Sequence, residues 1–140
     1  YETKEDGTRV TTEGLKMVMF DISDFTNPQV LFKVKVGDSK YTYSQLLYNH
    51  KALLFSKEKN IIAFPLYSSV GRKTNSRAAI YEIDLDQGFI IKGEIANITN
   101  DYLEEVERIV FVNEFYYTLS KGLVKVANME TLEVVNEIEL

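Results

Sequence analysis

One unit recurs three times along this chain. It consists of a hydrophobic strand, a turn rich in Asp, Asn or Glu, and a second strand in which charged and apolar residues alternate. The copies are MFDISDFTNPQVLFKVKV (19–36), IYEIDLDQGFIIKGEI (80–95) and VKVANMETLEVVNEIEL (124–140). Met19, Ile80 and Val124 align, as do Ile22, Ile83 and Ala127, at offsets of 61 and 44 residues. Repeats of roughly 40–50 residues built from four strands mark the blades of a propeller. Insertions at 38–46 and 68–77 would absorb the longer first offset.

The segments between the copies are also short, β-branched or aromatic, and bounded by turn residues. Strands are expected at 15–22, 30–36, 51–56, 61–67, 78–84, 89–95, 108–112, 115–119, 123–127 and 133–140. Helix is scarce, with about two turns expected over 100–107, capped by Asn100, and one over 42–48. The fold class is therefore all-β, with antiparallel four-stranded blades. About two and a half blades are present. Residues 1–13 form a tail or the remnant of a preceding blade, and 14–140 form the partial propeller. Within it, 14–37 end one blade, 46–96 make a full blade and 106–140 a further one. Closed propellers have about four to eight blades, so the chain is expected to be a piece of a larger propeller. Its start without Met and its end at Leu140 point the same way. The remaining blades of the parent protein, or self-association, would cover the exposed blade faces.

Composition narrows the function. The net charge is −5, with both signs mixed along the chain, which argues against non-specific nucleic-acid binding. No apolar run approaches the roughly 20 residues that span a bilayer. Without cysteine there is neither a disulfide nor a thiolate metal site. The seven glycines are scattered and form no phosphate loop, and no Gly-x-Ser-x-Gly elbow is present. No cofactor, metal or catalytic residue is expected.

Two stretches carry a resemblance. GLKMVMFDISDFTNP and YSQLLYNHKALLFSKEKNIIAFPL look like the C-terminal β-propeller domain of secreted prokaryotic proteins distantly related to WD repeats. RAAIYEIDLDQGFIIKGEI and FYYTLSKGLVKVANMETLEVVNEIEL fit that family's next two hairpins. The resemblance covers almost everything beyond residue 13. It implies an exported or cell-surface module with no established catalytic activity. Where that family usually places Asp before the histidine, this chain has Asn49, which removes a carboxylate partner for His50.

His50 is the only histidine. A metal site usually wants several such ligands. The expected role is structural, the imidazole opening the innermost strand of its blade and hydrogen-bonding its neighbours. Asp84 to Gly88 has its glycine one position too early for a calcium loop and is expected to be a hairpin turn. Asp21, Ser23 and Asp24 are expected to form a polar turn. The candidate binding residues are Tyr41, Tyr43 and Tyr48 before the inner strand, with Arg72 and Lys73 in the second insertion. Aromatic and basic side chains on loops of a rigid scaffold suit a glycan, an acidic peptide or a cell-wall polymer. The resulting reading is a non-enzymatic binding module. One alternative is the propeller part of a secreted hydrolase whose catalytic residues lie elsewhere, and another is a purely structural spacer.

Overall fold

The structure, a computed structural model, describes residues 14–37, 42–70, 73–99 and 102–140, together with the backbone of 2–3 and 10–11. Strands β1 (Glu2–Thr3) and β2 (Val10–Thr11) pair with each other. Three antiparallel sheets follow in chain order. The first is β3 (Leu15–Asp21) with β4 (Gln29–Val36). The second contains β5 (Thr42–Tyr43), β6 (Leu54–Ser56), β7 (Ile61–Val70), β8 (Lys73–Asp84) and β9 (Gly88–Thr99). Both β5 and β6 lie on the same edge of β7, and the order runs on through β8 to β9. The third sheet is β10 (Arg108–Val112), β11 (Phe115–Leu119), β12 (Leu123–Asn128) and β13 (Val134–Glu139), in that order. Two outer strands, then two meanders of four strands each, counting β5 and β6 as one broken inner edge, make about two and a half propeller blades.

The repeat is written into the irregularities of the ladders. The β3–β4 register shifts after Met19 and the β8–β9 register after Ile80, at aligned positions of the repeat. In β12–β13 the shift falls two residues later, after Val126. The extra residue is Leu31, Lys92 or Val135, each on the outer strand of its blade, and such a bulge bends that strand and steepens its twist.

Each blade buries side chains against the next. Val36, Phe64, Leu66, Ala79 and Tyr81 form the core between the first and second blades. Ile61, Ala63, Ala78, Ile80, Ile95, Ile109, Tyr116 and Ala127 form the core between the second and third. The far face of the third blade is open. Val110, Tyr117 and Val126 stand opposite one another there, as do Leu119, Val124 and Ile138. No described residue forms a buried core with that face.

Several expectations need correction. The insertion at 68–77 is not a loop: β7 runs on through Val70, and β8 begins at Lys73. Segment 51–56 is strand only from Leu54, because His50–Ala52 form a 3-10 turn. The helix over 100–107 is a single 3-10 turn, Tyr102–Glu104, and Asn100 lies outside the described residues. Val106 is drawn instead into the wall of the second blade. Val134, Ile138 and Leu140 do not alternate in burial with their neighbours, because all of β13 is exposed. The acidic turns are as expected. Asp84 Oδ1 accepts from the N–H groups of Asp86 and Gln87, both at 2.7 Å. Asp21 accepts from Ser23, and Asp24 from Thr26.

Candidate functional site

The inner edge of the second blade is broken in two. Between β5 and β6 the chain leaves the sheet through two 3-10 turns, Gln45–Leu47 and His50–Ala52. Ser44 caps the first by accepting from Leu46 N–H, and its hydroxyl donates to Pro65 O. That carbonyl belongs to the central strand β7. Asn49 caps the second turn, its side-chain oxygen accepting from Lys51 N–H at 3.1 Å. Asn therefore stands before the histidine as a cap, a role an Asp fills equally well.

His50 sits within that second turn, exposed, and its imidazole makes no hydrogen bond to a described residue. Among the described residues its side chain stitches no strand to another. The turn lifts residue 50 off the sheet before the strand resumes at Leu54.

Other residues do the stitching, at the junction of the second and third blades. Val106 is fully buried in an extended linker, where an unpaired backbone group would be costly. Ser76 Oγ accepts from its N–H at 2.8 Å, and the Tyr67 hydroxyl donates to its carbonyl. Two residues earlier, Asn97 Nδ2 donates to Glu104 O at 2.8 Å. Tyr67, Ser76 and Asn97 come from β7, β8 and β9, in register on one face. Asn97 opens a formal glycosylation sequon, but its side chain is buried in this junction. Taken one at a time in the sequence, these three residues do not show that they act together. Their signal was polar side chains sharing the period-two face that carries Ala63, Ala78 and Ile95.

Tyr67 also supports a surface. Its ring, 0 % exposed, stacks on Tyr43 with centroids 4.8 Å apart and planes 15° from parallel. Tyr43 faces solvent, 43 % exposed. Glu105 lies near both. Burial, then the Glu105 charge, raise the pKa of the Tyr43 hydroxyl and push that of Tyr67 up further. Burial first, then Glu107, raise the Glu105 carboxyl, while Lys121 opposes them. Glu107 is held by Lys121 at 3.3 Å. An exposed ring thus rests on an anchored one, with carboxylates alongside.

The structure does not gather all the residues singled out above. Tyr41 and Arg72 lie outside the described residues. Lys73 pairs through its backbone with Val70 at the tip of the β7–β8 hairpin. Tyr48 is 90 % exposed and stacks on no described aromatic ring. Of the candidates whose side chains are described, Tyr43 is the one that sits in a built environment. Beneath the same hairpin Arg77 is buried, its guanidinium bound by Glu94 and Ser68, each at 2.9 Å.

Three sheets with meandering strands, packed face to face in chain order, define a propeller. The chain matches the family model of the beta propeller domain over residues 1–132 and belongs to that family. No curated protein and no solved structure matches it.

Proposed function

We infer that this chain is a non-enzymatic binding module, working outside the cell or at its surface, which holds a glycan against Tyr43. The observation carrying this reading is the exposed Tyr43 ring stacked on the buried, hydrogen-bonded Tyr67. A stacked and anchored ring is a flat apolar platform that loses little freedom on binding. Glu105 and Glu107 offer acceptors for sugar hydroxyls beside it, a chemistry that favours a glycan over an acidic peptide. The extracellular location rests on the likeness to propeller domains of secreted prokaryotic proteins. The remaining blades of the parent protein, or a second copy, are the partners that would cover the open face of the third blade.

A panel of neutral and acidic oligosaccharides tests the reading. Tyr43→Ala should weaken binding roughly tenfold and leave the melting temperature unchanged. Arg72→Ala and Lys73→Ala measure what the hairpin tip adds. Should all three variants bind every probe as the parent does, this surface is not the site.

A further inference from the structure

Each end blade carries a free outer strand. Among the described residues, β4 pairs only with β3 and β13 only with β12. β13 is exposed along its whole length, and β4 at every residue except Phe32, Val34 and Val36. An edge strand is a template on which another strand can pair. The two edges carry opposite charge. β4 presents Lys33 and Lys35 at alternate positions, and β13 presents Glu137 and Glu139.

The backbone groups of those same residues point to the free side. Leu140 N–H donates to Gly122 O at 3.1 Å. Bonded and non-bonded pairs alternate along an antiparallel ladder, so Ile138, opposite Val124, also turns its N–H and C=O toward β12. Glu137 and Glu139 then turn theirs outward. In the second blade, Ile83 N–H donates to Asn60 O at 2.7 Å. By alternation Tyr81 also bonds toward β7, and Ile80 bonds toward β9, where it meets Gly93. Val124–Ile138 and Ile80–Gly93 are therefore both bonded pairs, at aligned positions of the repeat. The third aligned pair is Met19–Phe32. Val34 then bonds toward β3, and Lys33 and Lys35 turn their backbone groups to the open edge.

Laid antiparallel, the two edges fit. Lys33 falls opposite Glu139 and Lys35 opposite Glu137, as bonded pairs with Cα atoms about 5.5 Å apart. Val34 falls opposite Ile138 between them. The charged pairs share one face of the joined sheet and the apolar pair takes the other. Pairing of like edges would set lysine against lysine or glutamate against glutamate, which opposes it. Glu137 already holds Lys125 of its own sheet at 3.0 Å, so Lys33 with Glu139 is the pair that decides. Within one chain the two edges cannot meet, because the second blade lies between them with a core on either face.

We propose that β4 of one copy adds to β13 of a second copy, antiparallel, with Lys33 against Glu139. Each copy keeps its other edge free, so association runs head to tail and grows with concentration. The contact is short and its ion pairs are exposed, so it is weak and is weakened further by salt. It uses neither Tyr43 nor the open face of the third blade, and it stands whether or not the Tyr43 surface holds a glycan.

Sedimentation equilibrium of the intact chain over a range of concentrations tests this. At low ionic strength the weight-average mass should rise above 16.1 kDa with concentration. In about 1 M NaCl, where charges are screened beyond roughly 3 Å, it should fall back toward that value. Lys33→Glu and Glu139→Lys should each abolish the rise, because each sets like charges opposite one another. An equimolar mixture of the two variants should restore it, since each altered edge then finds its opposite. Restoration also shows that both variants are folded. The proposal is overturned if the mass stays at one chain throughout. It is overturned too if both single variants associate as the parent does, which would put the contact on the open face of the third blade. It also fails if the mixture does not recover the rise, because the loss would then not come from opposed charge.

Discussion

The second blade is held differently on its two sides. Toward the first blade the contact is apolar and close. Phe64 and Tyr81 lie with their rings nearly parallel, 6.0 Å apart, and Val36 is fully buried against them. Phe32 sits where any side chain on Gly88 would be. Toward the third blade there is a core of comparable make-up, but a polar strap is added. Three side chains from three strands satisfy the backbone of the linker at Glu104 and Val106. Apolar contact tolerates sliding, because it is non-directional. Hydrogen bonds to a buried backbone do not. The strapped side is therefore the one that fixes where the next blade begins, and it is the side that carries the Tyr43 surface.

Breaking the apolar side needs little chemistry. Gly88 has φ +88°, and a Cβ there would lie 2.7 Å from Phe32 Cγ and 2.9 Å from its Cβ. Those atoms are the root of the ring, so they cannot swing aside. Gly88→Ala should cost about 3 kcal/mol, from left-handed strain plus overpacking. The measurement is the denaturation midpoint, with a change in the environment of Phe32 if the first blade is displaced. A cost under about 0.5 kcal/mol would show that the two blades are not packed as described.

The strapped side should respond more gently and with coupling. Ser76→Ala leaves the Val106 N–H buried without an acceptor. Tyr67→Phe leaves the Val106 carbonyl without its donor. Each should cost about 1–3 kcal/mol, the penalty for a buried unsatisfied group. Both act on one residue, so the double variant should cost less than the two singles together, since a linker already released loses its second bond cheaply. Strict additivity in a double-mutant cycle would mean that the two bonds are independent and that no strap exists.

What was legible in the sequence follows the same division. Strand positions, blade order and the acidic turns come from period-two alternation and local turn chemistry, which act over a few residues. Met19 and Ile80 align in sequence and also mark the same register shift. The strap was not legible, because Ser76 and Val106 are 30 residues apart and only the packing of two blades joins them. The expected helix at 100–107 failed for that reason. Its local pattern is helical, but burial of Val106 between two sheets outweighs a short helix of marginal stability. The reach of β7 and β8 to Val70 and Lys73 was hidden by a polar stretch, SSVGRKTNSR, that resembles a loop in composition. At the candidate surface the sequence pointed to Tyr43 but not to Tyr67 beneath it as its support. Nor did it point to Glu105, whose charge acts on that ring from 62 residues further along the chain.

A smaller effect is expected from pH. The raised Glu105 carboxyl holds its proton more tightly in the folded chain than in the unfolded one. Between the ordinary carboxylate value and the raised one, the folded state binds more protons. Stability from this group is thus fully present at low pH and is lost as pH rises through that window. Asp21 and Asp24 act oppositely, each lowered by the Ser23 or Thr26 hydroxyl and backbone N–H. Their contribution is present above the ordinary value and fades as pH falls. Glu105→Gln should flatten the decline on the upper side of the window and leave the acid limb, set by the aspartates, in place. An unchanged profile would mean that the junction leaves Glu105 as free as an exposed carboxylate.

The least effect should come from the residue that drew most attention in the sequence. A lone histidine beside an inner strand invites the view that it ties the blade together, and then His50→Ala would cost as much as Ser76→Ala. The structure assigns that work to Ser44, whose hydroxyl donates to Pro65 O and accepts from Leu46 N–H, and to Asn49, which caps the turn. With its side chain exposed and bonded to no described residue, His50→Ala should change stability by no more than about 0.5 kcal/mol. Asn49→Ala, which removes only a cap, should cost more, about 1 kcal/mol. The ranking of the two by thermal melting is the sharpest check on the inner edge. If His50→Ala proved the costlier, the chain between β5 and β6 would have to run along the sheet as a continuous strand, and the break that sets Tyr43 apart from Leu54 would be lost.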